Sequence, residues 1–84
     1  MKIWLDGKLV EQEEAKTSVF DHGTLYGDGI FEGIRFYNKR VFRLEDHMHR
    51  LYNCSHYLLL DIPYTQEELS NAVCETVSAS ALTD

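Results

Sequence analysis

The chain has 84 residues, 44% of them hydrophobic, with a formal net charge of −6 and a pI near 5.0. That length allows one small domain, burying only about 60% of its unfolded surface, and the apolar fraction is that of a globular core rather than a disordered chain. The acidic balance lacks the basic patch that nucleic acid or an anionic membrane surface requires, and no apolar run approaches the ~20 residues of a membrane helix.

Residues 1–10 carry Asp6 and Lys8 among their apolar residues, which excludes a signal peptide. Residues 2–10 predict a short hairpin: Ile3 and Leu5 alternate with Trp4, Asp6-Gly7 is a turn signal, and Leu9-Val10 resumes the strand. Residues 11–16 are charged and read as a solvated loop or turn. Residues 17–29 hold Gly23, Gly27 and Gly29 among Asp21, His22, Tyr26 and Asp28. Such a stretch is either a long surface connection or a binding loop, because glycine permits close backbone approach and the polar groups supply contacts.

Residues 29–44 predict a β-hairpin turning at Asn38-Lys39, with Lys a poorer second turn residue than Gly. Side chains alternate in an extended strand. One face then carries Ile30, Glu32, Ile34 and Phe36, and the other Phe31, Gly33, Arg35 and Tyr37. The second face is either solvated around Arg35 or the wall of a site. Residues 44–58 predict a helix with Leu44, Met48, Leu51, Ser55 and Leu58 on one stripe, ended by Asp61-Ile62-Pro63. A second helix begins at Thr65, where Thr65 and Glu68 form a capping box and Tyr64 with Leu69 a hydrophobic staple. Its core face is Leu69, Ala72, Val73, Thr76 and Val77, extended more weakly by Ser80 and Ala81. No helix-ending signal follows Thr83, so the chain reads as cut at Asp84 rather than finished.

Most familiar chemistry is absent from the pattern. Cys54 and Cys74 form no CxxC pair and predict buried or half-buried free thiols in a reducing, cytoplasmic setting. His22, His47, His49 and His56 lack metal-ligand spacing, so no metal site is expected. There is no GxSxG nucleophile, and Gly27-Asp28-Gly29 is not a dinucleotide fingerprint. Arg50 lies one helical turn after His47, beside Leu51 of the buried stripe. Its guanidinium can grip an oxyanion such as a phosphate with two parallel hydrogen bonds, or it can snorkel or pair with Asp46.

Several blocks occur in one order: Asp21-His22-Gly23, Tyr26-Gly27-Asp28-Gly29, Phe31-Glu32-Gly33-Ile34-Arg35, Val41-Phe42-Arg43-Leu44, residues 45–51, and Leu60-Asp61-Ile62-Pro63. In these the chain resembles the class IV pyridoxal-phosphate aminotransferases, and in Phe31 to Arg35 most closely their branched-chain amino acid members. The resemblance implies that Arg50 binds the cofactor phosphate. It implies that Phe31 lines the pocket for the substrate side chain and that Arg35 helps accommodate the acidic co-substrate. Tyr26 would reach a substrate pocket of the neighbouring subunit.

The resemblance also implies what is missing. The family's Schiff-base lysine and the glutamate on the cofactor ring nitrogen lie in a second domain, and none of Lys2, Lys8, Lys16 and Lys39 sits in a matching context. Residues 1–84 are therefore expected to be the incomplete N-terminal small domain of a two-domain homodimeric enzyme of branched-chain amino acid biosynthesis, with no catalytic residue of their own and inactive alone. The expected fold is α+β and truncated, an antiparallel sheet with two helices packed on one face, leaving an open sheet edge and exposed apolar surface that favour association. The parent enzyme would pass the amino group of Leu, Ile or Val to 2-oxoglutarate through pyridoxal phosphate, which the isolated segment is not expected to bind. The partners would be an amino acid and a 2-oxo acid. The rivals are a D-amino acid aminotransferase or aminodeoxychorismate lyase, and a non-catalytic dimerisation or binding module.

Overall fold

Asp6 and Gly7 turn the chain back on itself at φ 50° and 95°, the left-handed backbone that an Asp-Gly pair tolerates. The turn joins β1 (Lys2–Leu5) to β2 (Lys8–Glu11), paired Lys2 with Glu11, Ile3 with Val10, Trp4 with Leu9 and Leu5 with Lys8. The computed structural model describes residues 1–27 and 29–84, with the backbone alone at His22 and Thr24. Asp28 of the glycine-rich run and the His22 side chain thus lie outside the described residues.

Residues 11–16 hold the end of a strand and an exposed turn. Glu11 closes β2, its carboxylate 2.5 Å from the Lys2 ammonium, and Gln12–Glu14 form a single 3₁₀ turn. The glycine-rich stretch also contains a short helix, α1 (His22–Tyr26). Asp21 caps it by accepting from the Gly23 N–H at 3.0 Å, and Gly27 ends it at φ 73°, where a side chain would be strained.

The second hairpin is shorter than the sequence predicts. β3 (Phe36–Tyr37) and β4 (Arg40–Val41) pair around Asn38-Lys39, and a Phe42 N–H to Arg35 carbonyl bond of 2.7 Å adds one step. Residues 29–35 belong to no strand, so the antiparallel pairing is split between two two-stranded sheets. The alternation nevertheless survives: Ile30, Glu32, Ile34 and Phe36 are half-buried, whereas Phe31, Gly33, Arg35 and Tyr37 are exposed. Alternation needs only extended backbone, while strand pairing needs a neighbour as well.

α2 (Leu44–Tyr57) and α3 (Gln66–Ala79) pack on each other, and α3 lies against β1 and β4. Among the described residues the core is small: Met48 and Ser55 from α2, Ala72 and Val77 from α3. The capping box forms as expected, with Thr65 Oγ1 accepting from the Glu68 N–H at 3.1 Å and Glu68 from the Thr65 N–H at 2.9 Å. Leu69, Val73, Thr76 and Ser80 are half-buried along the predicted face, and Ala81 is exposed. The architecture is thus the expected α+β arrangement of antiparallel strands and two helices.

Two expectations need correction. α2 ends before Asp61-Ile62-Pro63 stops the pattern. The Leu60 N–H reaches the Ser55 carbonyl at 2.9 Å and the Leu59 N–H the His56 carbonyl at 3.3 Å, a Schellman closure with Leu59 at φ 57°. Cys54 and Cys74 are both exposed, not buried or half-buried. Cys54 immediately precedes buried Ser55, and Cys74 lies two residues past buried Ala72, so each points away from its helix's core stripe. Apolar exposure is widespread, including Phe20, Phe31, Tyr57 and Leu59. Among the described residues no helix is long and apolar enough to cross a membrane.

Candidate functional site

The site begins with helical spacing. His47 and Arg50 are three residues apart on α2 and share a face. Residues 29–35 run past that face with Glu32 turned inward. The Glu32 carboxylate takes three hydrogen bonds: His47 Nδ1 at 2.6 Å and Arg50 Nη2 at 2.6 Å, both on Oε1, and Arg50 Nε at 2.8 Å on Oε2. The Glu32 side chain is 9% exposed, against 66% for Arg50.

The electrostatics follow from those contacts. Hydrogen bonds from Arg50, then from His47, outweigh desolvation and hold the Glu32 carboxyl down at about 2. It is therefore ionised at neutral pH and can only accept, so His47 donates from Nδ1. The same pair raises Arg50 above the ordinary arginine value.

A guanidinium has five N–H donors in a fixed plane. Glu32 occupies the edge formed by Nε and one Nη2 hydrogen, leaving the Nη1–Nη2 edge unused by Glu32 on a largely exposed side chain. Arg50 lines a cleft of ≈ 380 Å³ with Phe42, Arg43, Asp46 and His47. Asp46 is engaged by Arg43, Nε to Oδ2 at 2.8 Å, so the ion pair considered between Arg50 and Asp46 is replaced by one with Glu32. This donor set fits an anion with two or more coplanar oxygens, a phosphate ester among them.

The other candidate residues lie elsewhere. Phe31 and Arg35 share the outward face of residues 29–35, opposite Glu32, with Phe31 91% exposed. Tyr26 stands at the end of α1 and is exposed. The structure thus gathers Arg50 with Glu32 and His47, and keeps Phe31 and Arg35 on the reverse side of the same segment. Sequence reasoning missed Glu32 as a site residue. The signal was present: a lone carboxylate on a face otherwise made of Ile30, Ile34 and Phe36 must find a cation. Among the described residues no group of three His, Cys, Asp or Glu side chains could hold a metal ion. Lys39 is engaged structurally, its ammonium donating to the Val77 and Ser80 carbonyls.

Residues 29–84 match the model of amino-transferase class IV, and the chain belongs to that family. Within it, the chain is 54% identical over 84 residues to a Methanocaldococcus jannaschii protein provisionally named branched-chain-amino-acid aminotransferase, covering 100% of this chain and 29% of that protein. It is 37% identical over 79 residues to a Staphylococcus haemolyticus D-alanine aminotransferase, covering 94% of this chain and 28% of that protein. Its fold matches the branched-chain aminotransferase of Thermoproteus uzoniensis with norvaline at a TM-score of 0.90 and 52% identity, over 100% of this chain and 30% of that one. It also matches a second branched-chain amino acid aminotransferase, from T.th., complexed with N-(5'-phosphopyridoxyl)-L-glutamate, at 0.85 and 46%, over 92% of this chain and 27% of that one. The chain therefore spans less than a third of the length of these relatives.

Proposed function

We propose that residues 1–84 serve as the N-terminal small domain of a cytoplasmic, homodimeric branched-chain amino acid aminotransferase. The enzyme moves the amino group of Leu, Ile or Val to 2-oxoglutarate using pyridoxal phosphate. The observation that carries this reading is the Arg50 guanidinium, held on one edge by Glu32 while the side chain stays largely exposed. A near-dianionic phosphate ester matches that edge in charge and geometry. The phosphopyridoxyl ligand of the T.th. relative supports the same cofactor for this chain.

Bound pyridoxal phosphate supplies an electron sink for the bonds at the substrate α-carbon. The residues of this segment bind and orient. Arg50 anchors the phosphate. Phe31 offers an apolar wall to a branched side chain, and Arg35, on the same face, offers a cation to the second carboxylate of glutamate. Tyr26 contributes to a substrate pocket, that of the neighbouring subunit. The lysine and the ring-nitrogen glutamate come from a second domain, so the 84-residue chain has no turnover of its own.

The D-alanine aminotransferases among the relatives favour one alternative, a class IV enzyme acting on D-amino acids. The test is amino-donor profiling of the full-length protein with 2-oxoglutarate. L-Leucine turnover is expected. D-Alanine turnover without leucine turnover would replace the first reading with the second. Transaminase turnover by the purified 84-residue chain would overturn the division of labour between domains.

A further inference from the structure

We infer that Glu32 is a positioning residue, which by holding the Nε–Nη2 edge of Arg50 aims the Nη1–Nη2 edge outward as a preformed fork for the phosphate ester. The inference rests on the reading of Arg50 as the phosphate ligand and adds the group that sets its orientation.

The geometry leaves the carboxylate little freedom. Oε1 takes His47 Nδ1 and Arg50 Nη2, while Oε2 takes Arg50 Nε, so rotating the group breaks at least one bond. Ile30 and Ile34 of the same segment, and Phe36 at the start of β3, share its half-buried face. An unpaired carboxylate there is strongly disfavoured, which ties its place to the pairing itself. His47 braces Glu32 from the same helix that carries Arg50, one turn earlier.

The consequence for Arg50 is one of order. Its side chain is 66% exposed, and a solvated arginine samples many rotamers. A bidentate pair fixes the plane of the guanidinium, and in a planar group fixing one edge fixes the other. The ordering cost is then met in folding rather than at cofactor binding. An opposing effect exists, because the Glu32 charge partly cancels the attraction of Arg50 for a phosphate. The two effects have opposite signs and can be separated. If orientation dominates, removing Glu32 weakens phosphate binding. If repulsion dominates, removing it tightens binding.

The experiment uses the full-length protein stripped of cofactor. Pyridoxal phosphate and pyridoxal, which lacks the phosphate, are titrated separately into wild type, Glu32→Gln, Glu32→Ala, Arg50→Ala and the Glu32→Ala/Arg50→Ala double variant. Binding is followed by the cofactor absorbance band. Both Glu32 variants are expected to weaken pyridoxal phosphate binding about tenfold or more with pyridoxal binding unchanged, and Glu32→Ala is expected to add nothing once Arg50 is gone. Tighter pyridoxal phosphate binding, equal losses for both ligands, or independent effects in the double variant would each overturn the inference. If Arg50→Ala weakens the phosphorylated ligand and the Glu32 variants do not, positioning fails and the phosphate grip stands. If Arg50→Ala changes nothing, the phosphate grip fails and the inference with it.

Discussion

The Trp4 indole meets the Tyr64 ring edge to face, with centroids 5.1 Å apart and planes at 69°. Tyr64 also accepts, on its main-chain carbonyl, the phenol proton of Tyr52 at 2.5 Å. One residue thus ties the β1–β2 hairpin to α2 just before α3 begins. Burial, with the charge of Glu68 adding to it, raises the Tyr52 phenol above its ordinary value and keeps it a donor. In a chain with so small a core, a half-buried aromatic pair is a large share of the total. Trp4→Ala should destabilise the chain by about 1–3 kcal/mol. Trp4 is the only tryptophan, so urea unfolding is followed by circular dichroism rather than fluorescence. An unchanged midpoint would mean that the ring contact contributes nothing.

Leu59 holds φ 57°, the left-handed conformation closing α2, and the residue is 91% exposed. A leucine there carries the strain of its Cβ and gains little burial in return. Leu59→Gly removes the strain without opening a cavity and should stabilise the chain by about 1 kcal/mol. A thermal melt checks the direction. A lower midpoint would show that the exposed side chain makes a compensating contact in solution.

The Leu59 closure also marks a boundary of what was legible in the sequence. Capping at Thr65, the Asp6-Gly7 turn and the apolar stripe of α3 were readable because each depends on residues close in the chain. The α2 terminus was not, because leucine is a poor signal for a left-handed cap. Lys39 is similar. It stands at φ 65° in the turn, where glycine is preferred, and its ammonium donates to the Val77 and Ser80 carbonyls at the end of α3. A long-range bond to a helix C-terminus explains a locally poor residue, and such a bond has no local signature. In the site, Arg50 stood out through its place beside the buried stripe. Glu32 showed only the need for a cation, because the partners that meet it lie 15 and 18 residues further along the chain. Residues 29–35 kept their alternation and lost their strand, since the pattern of polarity fixes which side faces inward and does not supply a pairing neighbour.

Glu32 also gives the chain a signature in acid. Its carboxyl is held from an ordinary value of 4.5 down to about 2 by Arg50 and His47. In that window the unfolded chain binds the proton and the folded chain does not. The stability from this group is therefore complete above about 4.5 and lost as pH falls toward about 2. Glu32→Gln should be less stable than wild type at neutral pH, with the gap closing through that window. Urea midpoints measured from neutral pH downward test this. A constant gap would mean that the cost of substitution is steric rather than ionic. The Lys2–Glu11 pair, about half-exposed on both sides, should show the opposite character, with a salt-sensitive and small effect.

Phe31 and Arg35 lie four residues apart on one face, roughly 13 Å along an extended chain. That spacing allows them to meet different parts of a substrate, or different substrates, rather than the same group. Phe31 is 91% exposed in this chain, so it has apolar area to offer a ligand or a second domain. Covering it with a branched side chain and placing a carboxylate on Arg35 are each worth on the order of tenfold or more in affinity. Under the proposed function, Phe31→Ala in the full-length enzyme should raise KM for leucine about tenfold and leave that for 2-oxoglutarate within twofold, as loss of one apolar contact does. Arg35→Gln should do the reverse, because it removes a charge that only the dicarboxylic substrate needs. Steady-state kinetics with the two substrates varied in turn separate the cases. A Phe31→Ala variant that loses both substrates equally, or only kcat, would assign the ring to contact between domains and take it out of the substrate wall.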